Sequence, residues 1–293
     1  MPGKIPCTCG KQYTWTPDRA GKRARCKACG AVVAFPAKDP DDELLIGPEP
    51  EYEQSPSGAR VYRHEPRTTP PELAIGDDHA IGAISDHIER HIGPVAGVFH
   101  EIVSDLVHID IHMVAPTEER PWHTLVTSGM SDRPMTVPDP EDPELRELRY
   151  AELLICLPPD WPMEQEQWAD DDNFWPIRWL KQVARLPHEY ETWVGAGHTI
   201  PNGDPAEPVA TNTKLCCMLL MPPVLVSEGF HRLAVSDDKA INFYALFPLY
   251  QEEMELKLNK GLDPLVERFA KAEVSELLDV GRKNTCGKRF GLF

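Results

Sequence analysis

The chain has 293 residues, of which 30 are Lys or Arg and 47 are Asp or Glu, giving a formal net charge of −17. At about 150 residues per domain this length fits two domains and a core that folds unaided, which excludes a peptide or mini-protein. The acidic balance excludes a general affinity of the whole molecule for nucleic acid phosphates.

The N-terminus departs from that balance. Residues 1–38 carry Lys4, Lys11, Arg19, Lys22, Arg23, Arg25, Lys27 and Lys38 against one acid, Asp18, a net of +7 that leaves −24 for the remainder. Residues 1–8 lack the apolar core of a secretory signal, and the longest apolar stretch, residues 215–226, is short and broken by Pro222 and Pro223. No membrane span is expected. Four of the 8 cysteines fall in the first thirty residues, while Cys156, Cys216, Cys217 and Cys286 are scattered, unlike a disulfide framework. The expected compartment is the cytoplasm.

Cys7-Thr8-Cys9-Gly10 and Cys26-Lys27-Ala28-Cys29-Gly30 set two thiol pairs sixteen intervening residues apart, each followed by glycine. Zinc takes four soft ligands at tetrahedral corners, and two tight turns whose glycines free the backbone supply them two at a time. So small a segment holds too little core to fold alone. The spacing therefore predicts a structural zinc ion on Cys7, Cys9, Cys26 and Cys29 in a zinc-ribbon-like β module of residues 1–38. The first pair has one spacer residue where the commoner pattern has two, and free or redox-active thiols are the competing reading. Lys22, Arg23, Arg25 and Lys27 line the second knuckle near Tyr13 and Trp15, the ingredients of a phosphate-contacting surface. A solvated basic rim has the same sequence, and the acidic stretch that follows favours the rim.

Residues 39–72 hold seven prolines and nine acids without Phe, Trp or Cys, too little apolar surface to offset the entropy of ordering. They read as a disordered, acidic, Pro-rich linker to a body of residues 73–293. In the body, Ile81, Ile84, Ile88 and Ile92 recur at helical steps behind Asp77 and Asp78, and Gly93-Pro94 stops the pattern. Over residues 106–114 the period falls to two. Val107, Ile109, Ile111 and Met113 then share one face, and His108, Asp110 and His112 share a face expected to meet solvent. Further strands are expected at 124–127, 150–157, 215–221 and 241–247. Helical spacing returns at Ile177, Leu180, Val183 and Ala184 behind Asp172 and Asn173, at 249–259 ahead of Gly261, and at 264–272 after an Asp263-Pro264 start. Strands and helices mix without strict alternation, which favours an α+β layer.

Several ordered segments resemble the suppressor of fused domain family, in its bacterial type, over roughly residues 79–281. They are His108-Ile109-Asp110-Ile111-His112, the run from Trp122 through Thr127-Ser128-Gly129-Met130-Ser131-Asp132, Ala151-Glu152-Leu153-Leu154-Ile155-Cys156-Leu157-Pro158, Trp175-Pro176-Ile177-Arg178-Trp179-Leu180, Gly197-His198-Thr199-Ile200-Pro201, and Phe247-Pro248-Leu249-Tyr250-Gln251-Glu252-Glu253. The resemblance implies a mixed sheet flanked by helices and a non-enzymatic protein-binding domain. Animal members restrain a transcription factor, and bacterial members are thought to be immunity proteins that neutralise toxins. The second, C-terminal lobe with which the animal protein clamps a partner peptide has no counterpart in the matching segments.

Two enzymatic readings compete with binding. His108, Asp110 and His112 at two-residue steps have the residue types of a metal-dependent hydrolase, with His123 nearby. Ser128 and Ser131 flank a glycine, but the nucleophile elbow is missing and the segment reads as a turn. His87 and His91, four apart, read as a surface pair. Neither a phosphate-binding loop nor a dinucleotide glycine pattern occurs. Trp161, Trp168, Trp175 and Trp179 read chiefly as packing and, as a cluster, as candidate anchors for a partner. The expected partner is another protein, a basic one such as a toxin or regulator. Nucleic acid is an adaptor-type alternative for the zinc module alone.

Overall fold

The structure is a computed structural model that describes residues 4–14, 16–35, 52–65, 74, 76–101 and 104–287. It divides into two units, Met1–Tyr52 and Glu53–Phe293. In the first, β1 (Lys4–Pro6) pairs antiparallel with β2 (Gln12–Thr14), and β3 (Arg23–Arg25) with β4 (Val32–Ala34). The interior is Ile5, Cys7, Cys26, Val33 and Phe35, with Tyr13 and Ala31 against them. So few apolar side chains are far below what usually sustains a fold without a further fastening.

Strands β5 (Tyr52–Gln54) and β6 (Arg60–Tyr62) form a hairpin inside the stretch expected to be an unstructured linker. Two local features account for it. Gly58 turns the chain at φ 83°, and the Ser57 N–H donates to the Leu258 carbonyl at 3.1 Å, fixing the turn to the second unit. The rest of that linker, residues 39–51 and 66–72, lies outside the described residues.

The second unit continues with α1 (Asp78–His91), β7 (Val95–Phe99), β8 (Asp110–Val114), β9 (His123–Ser128), α2 (Pro143–Arg146), β10 (Ala151–Leu157), α3 (Asp171–Glu189), β11 (Thr199–Pro201), β12 (Cys217–Met221), β13 (Arg232–Ser236), β14 (Lys239–Leu249), α4 (Gln251–Lys260) and α5 (Asp263–Ala272). One mixed sheet runs β11-β12-β14-β10-β9-β8-β7, with β13 added along the first half of β14. Only β10 and β14 run parallel, so the sheet is an α+β layer and not a doubly wound one. All seven residues of β10 are buried, which explains its unbroken apolar run: a strand covered on both faces has no solvent side to alternate toward.

Each face of the sheet has its own core. Trp175, Trp179, Leu180 and Val183 of α3 pack with Ile109, Ile111, Leu153 and Ile155 on one side. Ile84 and Ile88 of α1, with Leu265 and Phe269 of α5, pack with Val114, Val126, Leu154 and Phe243 on the other. Helix α1 begins where its acidic N-cap predicts, the Asp77 carboxylate accepting from the N–H groups of His79 and Ala80.

The alternating strand departs from expectation in two ways. Leu106 sits at φ 65°, so regular pairing starts only at Asp110. The polar face expected to meet solvent is buried, with Asp110 4% and His112 2% exposed. Both lie on the same side of β8 as Val114, which packs in the core covered by α1 and α5. A strand between two covered faces must therefore bury its polar side chains in hydrogen bonds.

Candidate functional site

In the N-terminal unit the two knuckles close as tight turns. The Gly10 N–H donates to the Cys7 carbonyl and the Gly30 N–H to the Cys26 carbonyl, both at 2.8 Å. Gly10 and Gly30 sit at φ 85° and 76°, where a side chain would be strained. The turns bring the sulfurs of Cys7, Cys9, Cys26 and Cys29 within 4.8 Å of one another. Cys7 Sγ stands 3.5 Å from Cys29 Sγ, and Cys9 Sγ 3.7 Å from Cys26 Sγ. Four thiolates about 2.3 Å from a common centre at tetrahedral angles would stand about 3.8 Å apart. The cluster has that size and donor set. The Tyr13 hydroxyl donates to Cys26 Sγ at 3.1 Å, and with the Ala28 N–H it pulls the Cys26 thiol down to about 6. Among the described residues this is the only set of three or more Cys, His, Asp or Glu close enough to hold a metal.

His108, Asp110 and His112 do not form such a set, which removes the geometric basis of the hydrolase reading. Both Asp110 oxygens are engaged: Oδ2 faces His100 Nδ1 at 2.8 Å, while Oδ1 faces His108 Nε2 at 3.0 Å and accepts the Glu101 N–H at 3.1 Å. His112 turns its Nε2 to Ser128 Oγ at 3.0 Å inside the domain, and burial lowers its pKa. His123 Nε2 lies 3.3 Å from the Pro159 carbonyl. His87, expected at the surface, is 3% exposed and holds the Phe230 carbonyl at 3.1 Å, stacked on the Phe230 ring.

The Ser128-Gly129-Met130-Ser131 segment is a buried turn organised by Glu152, itself completely enclosed. Oε1 accepts from the N–H of Gly129 at 3.0 Å, the N–H of Ser131 at 2.9 Å and the Ser131 hydroxyl at 2.7 Å, and Oε2 from the Thr127 hydroxyl at 2.6 Å. Even so, burial raises the Glu152 carboxyl to about 7, opposed by those donors and aided by the nearby Asp132. Gly129 is obligatory at its place: φ is 104°, and a Cβ there would meet the His108 carbonyl oxygen at 1.8 Å.

These segments are the ones that carry the family pattern, and the family model described as Suppressor of fused protein (SUFU) matches residues 105–283. The chain belongs to the suppressor of fused family. A SUFU homolog from Neisseria gonorrhoeae FA 1090 is similar over 72% of this chain and 96% of its own, at 16% identity and a TM-score of 0.50. The Sufu–Fu complex structure is similar over 74% of this chain and 93% of that one, at 14% identity and a TM-score of 0.49. Drosophila Suppressor of Fused aligns over 67% of this chain and 45% of its own, at 14% identity and a TM-score of 0.38. No curated protein matches.

The suppressor of fused domain divides the four tryptophans between core and margin. Trp175 is fully buried and Trp179 is 4% exposed, both under α3, so neither can anchor a partner. Trp161 and Trp168 are half-buried at the edge of the same core. Their indole N–H groups donate to the Asn173 and Pro162 carbonyls, each at 3.1 Å, and Trp168 meets Phe99 edge-on at 5.2 Å. Spacing in the sequence could not separate the two pairs: Trp161 and Trp168 precede α3, whereas Trp175 and Trp179 lie on its inner side, which the sheet sets. Glu152 and Glu101 also escaped the sequence reading, since an isolated glutamate reads as surface. Glu101 joins Lys181 Nζ at 3.1 Å, Arg185, the Ser104 hydroxyl at 2.8 Å and the Ile109 N–H at 3.2 Å.

Proposed function

We propose that residues 73–293 form a non-enzymatic module that binds and restrains another protein, and that residues 1–38 form a structural zinc module joined to it through residues 39–72. The match to the suppressor of fused family over residues 105–283 carries this reading. The partner is basic, because −24 charges follow the first 38 residues and a field of that sign raises the encounter rate of a basic protein and rejects acidic ones. An immunity role against a basic toxin, such as a nuclease, fits this charge. No helix among the described residues is long and apolar enough to cross a membrane, and a four-cysteine zinc site suits a reducing cytoplasm.

In the zinc module Cys7, Cys9, Cys26 and Cys29 would hold one ion. A closed four-thiolate site supplies folding energy and leaves no open position for chemistry.

The binding reading is tested by affinity purification with mass spectrometry, followed by reconstitution of the recovered protein with the purified chain. Stoichiometric loss of the partner's own activity is expected. Screens of the chain for esterase, phosphatase and nuclease turnover with zinc, manganese and magnesium are expected to be silent. Turnover that vanishes in both His108→Ala and His112→Ala would replace binding with the hydrolase reading.

A further inference from the structure

The N-terminal unit displays a cationic face that neither the metal cluster nor the unit's small core explains. In the β3–β4 hairpin Arg23 lies directly opposite Ala34, and Arg25 opposite Val32, so these four side chains share one face. Ala24 and Val33 point the other way, and it is Val33 that enters the core with Ile5 and Phe35. Arg23, Arg25, Val32 and Ala34 are exposed, Val32 at 62% despite being apolar. Lys22 and Lys27, also exposed, flank the strand at either end.

No carboxylate of the described residues pairs with Lys22, Arg23, Arg25 or Lys27, whereas Arg63, Arg178 and Arg232 of the second unit each meet one. Among the described residues Arg23, Arg25 and Lys27 have no paired acid and Lys22 feels only the more distant Asp18, so the four repel one another and suit an external anion. Residues two apart on a strand are about 6.7 Å apart, close to the spacing of adjacent phosphates along one nucleic acid strand. Two guanidinium forks at that interval suit phosphates better than carboxylates scattered on a protein surface. The exposed Val32 beside Arg25 offers apolar contact to a sugar. Arginines spaced along one strand at the interval of successive phosphates favour a single strand tracked by its backbone.

We propose that the Arg23–Arg25 face of the N-terminal unit, with the flanking Lys22 and Lys27, binds the phosphodiester backbone of single-stranded nucleic acid without sequence preference. This function is additional to the protein-binding role of the second unit and does not depend on it.

The test is fluorescence anisotropy of labelled oligothymidylate with the zinc-supplemented full chain across a salt series. Four cations on a single strand give a log–log salt slope of about −2.8, so affinity should fall roughly 50-fold between about 50 and 200 mM salt. The double variant Arg23→Ala/Arg25→Ala should bind more weakly and fall only about 7-fold over that range. Arg23→Lys/Arg25→Lys, which keeps the charges, should retain the steep slope, and equal zinc content among the variants controls for folding. No binding at the low-salt end would overturn the proposal. So would an unchanged slope in the double alanine variant, tighter binding to a duplex of equal length, or equal affinity for a polyglutamate peptide.

Discussion

Replacing Gly129 with alanine tests whether the Glu152-centred turn is the keystone of the domain. An alanine Cβ would lie 1.8 Å from the His108 carbonyl oxygen, where real contacts stay beyond 3.0 Å, so strand and turn must separate by more than 1 Å. Left-handed backbone costs about 1–2 kcal/mol for a non-glycine residue. The separation also stretches the 3.0 Å and 2.9 Å bonds from Gly129 and Ser131 to a buried carboxylate, each worth about 1.5–3 kcal/mol. The total is at least about 4 kcal/mol, a large part of the 5–15 kcal/mol that typically separates folded from unfolded protein. Gly261 supplies the comparison. It too has positive φ, 86°, but nothing lies within 4 Å of its would-be Cβ, so alanine there bears backbone strain of about 1–3 kcal/mol and no overlap. Urea titrations followed by tryptophan fluorescence read both variants. Should Gly129→Ala prove insoluble, Ser131→Ala, which removes a single 2.7 Å bond to Glu152, is expected to lose about 1.5–3 kcal/mol and keeps the test open. Equal midpoints for Gly129→Ala and Gly261→Ala, or a harmless Ser131→Ala, would refute the reasoning.

Because Glu152 is raised to about 7, its contribution to stability is fully present below the unfolded value near 4.5 and is lost as pH rises through 7. Glu152→Gln should therefore gain on the wild type by about 3 kcal/mol between those limits, at 1.36 kcal/mol per unit, in urea midpoints taken against pH; a constant difference would contradict the burial argument. Metal analysis of the reduced full chain should find close to one zinc, and Cys26→Ser should bring it well below one; zinc-free wild-type protein would exclude the four-thiolate site. With a partner in hand, salt should slow association and leave dissociation nearly unchanged, and Trp161→Ala or Trp168→Ala should speed dissociation. Trp175→Ala should instead cost about 3–5 kcal/mol of stability, and a salt effect on dissociation alone would locate the contact elsewhere.

The main elements of the body could be read from the sequence because their signals are local. Asp77 caps α1, the isoleucines at three- and four-residue steps face the sheet, and the apolar run of β10 marks a doubly covered strand. The short edge strands β7 and β11 gave no such signal, since Gly97 and Pro201 interrupt their pattern and pairing with β8 and β12 decides them. The cysteine cluster was legible because ligand spacing is a local property. The fate of Asp110 and His112 was not, because alternation reveals that a strand has two faces and says nothing about what covers the second. Only the packing of α1 and α5 on that side settles it.

The feature the sequence concealed most thoroughly is a recurring use of buried glutamate. Glu152 fastens the turn after β9. Glu276 accepts the N–H groups of Val224 and Leu225 at 2.9 Å and 2.7 Å, and Glu253 accepts the N–H and hydroxyl of Thr285 at 2.9 Å and 2.8 Å while pairing with Arg282. Glu101 ties Ile109 to α3 through Lys181 and Arg185. In every case a carboxylate enclosed by the domain gathers donors from a segment remote in sequence, where an unpaired N–H would otherwise be stranded. The presence of a cation divides the four. Burial works against all of them, but Arg185 with Ser104 holds Glu101 near 2 and Arg282 draws Glu253 below its ordinary value, whereas Glu152 and Glu276, without an arginine or lysine partner, are raised. The first two fastenings therefore weaken as pH falls and the last two as it rises, so the four are strongest together between those extremes. That arrangement sets the pH response of these fastenings from both sides. It does so through contacts on which the alternation of apolar residues has no bearing.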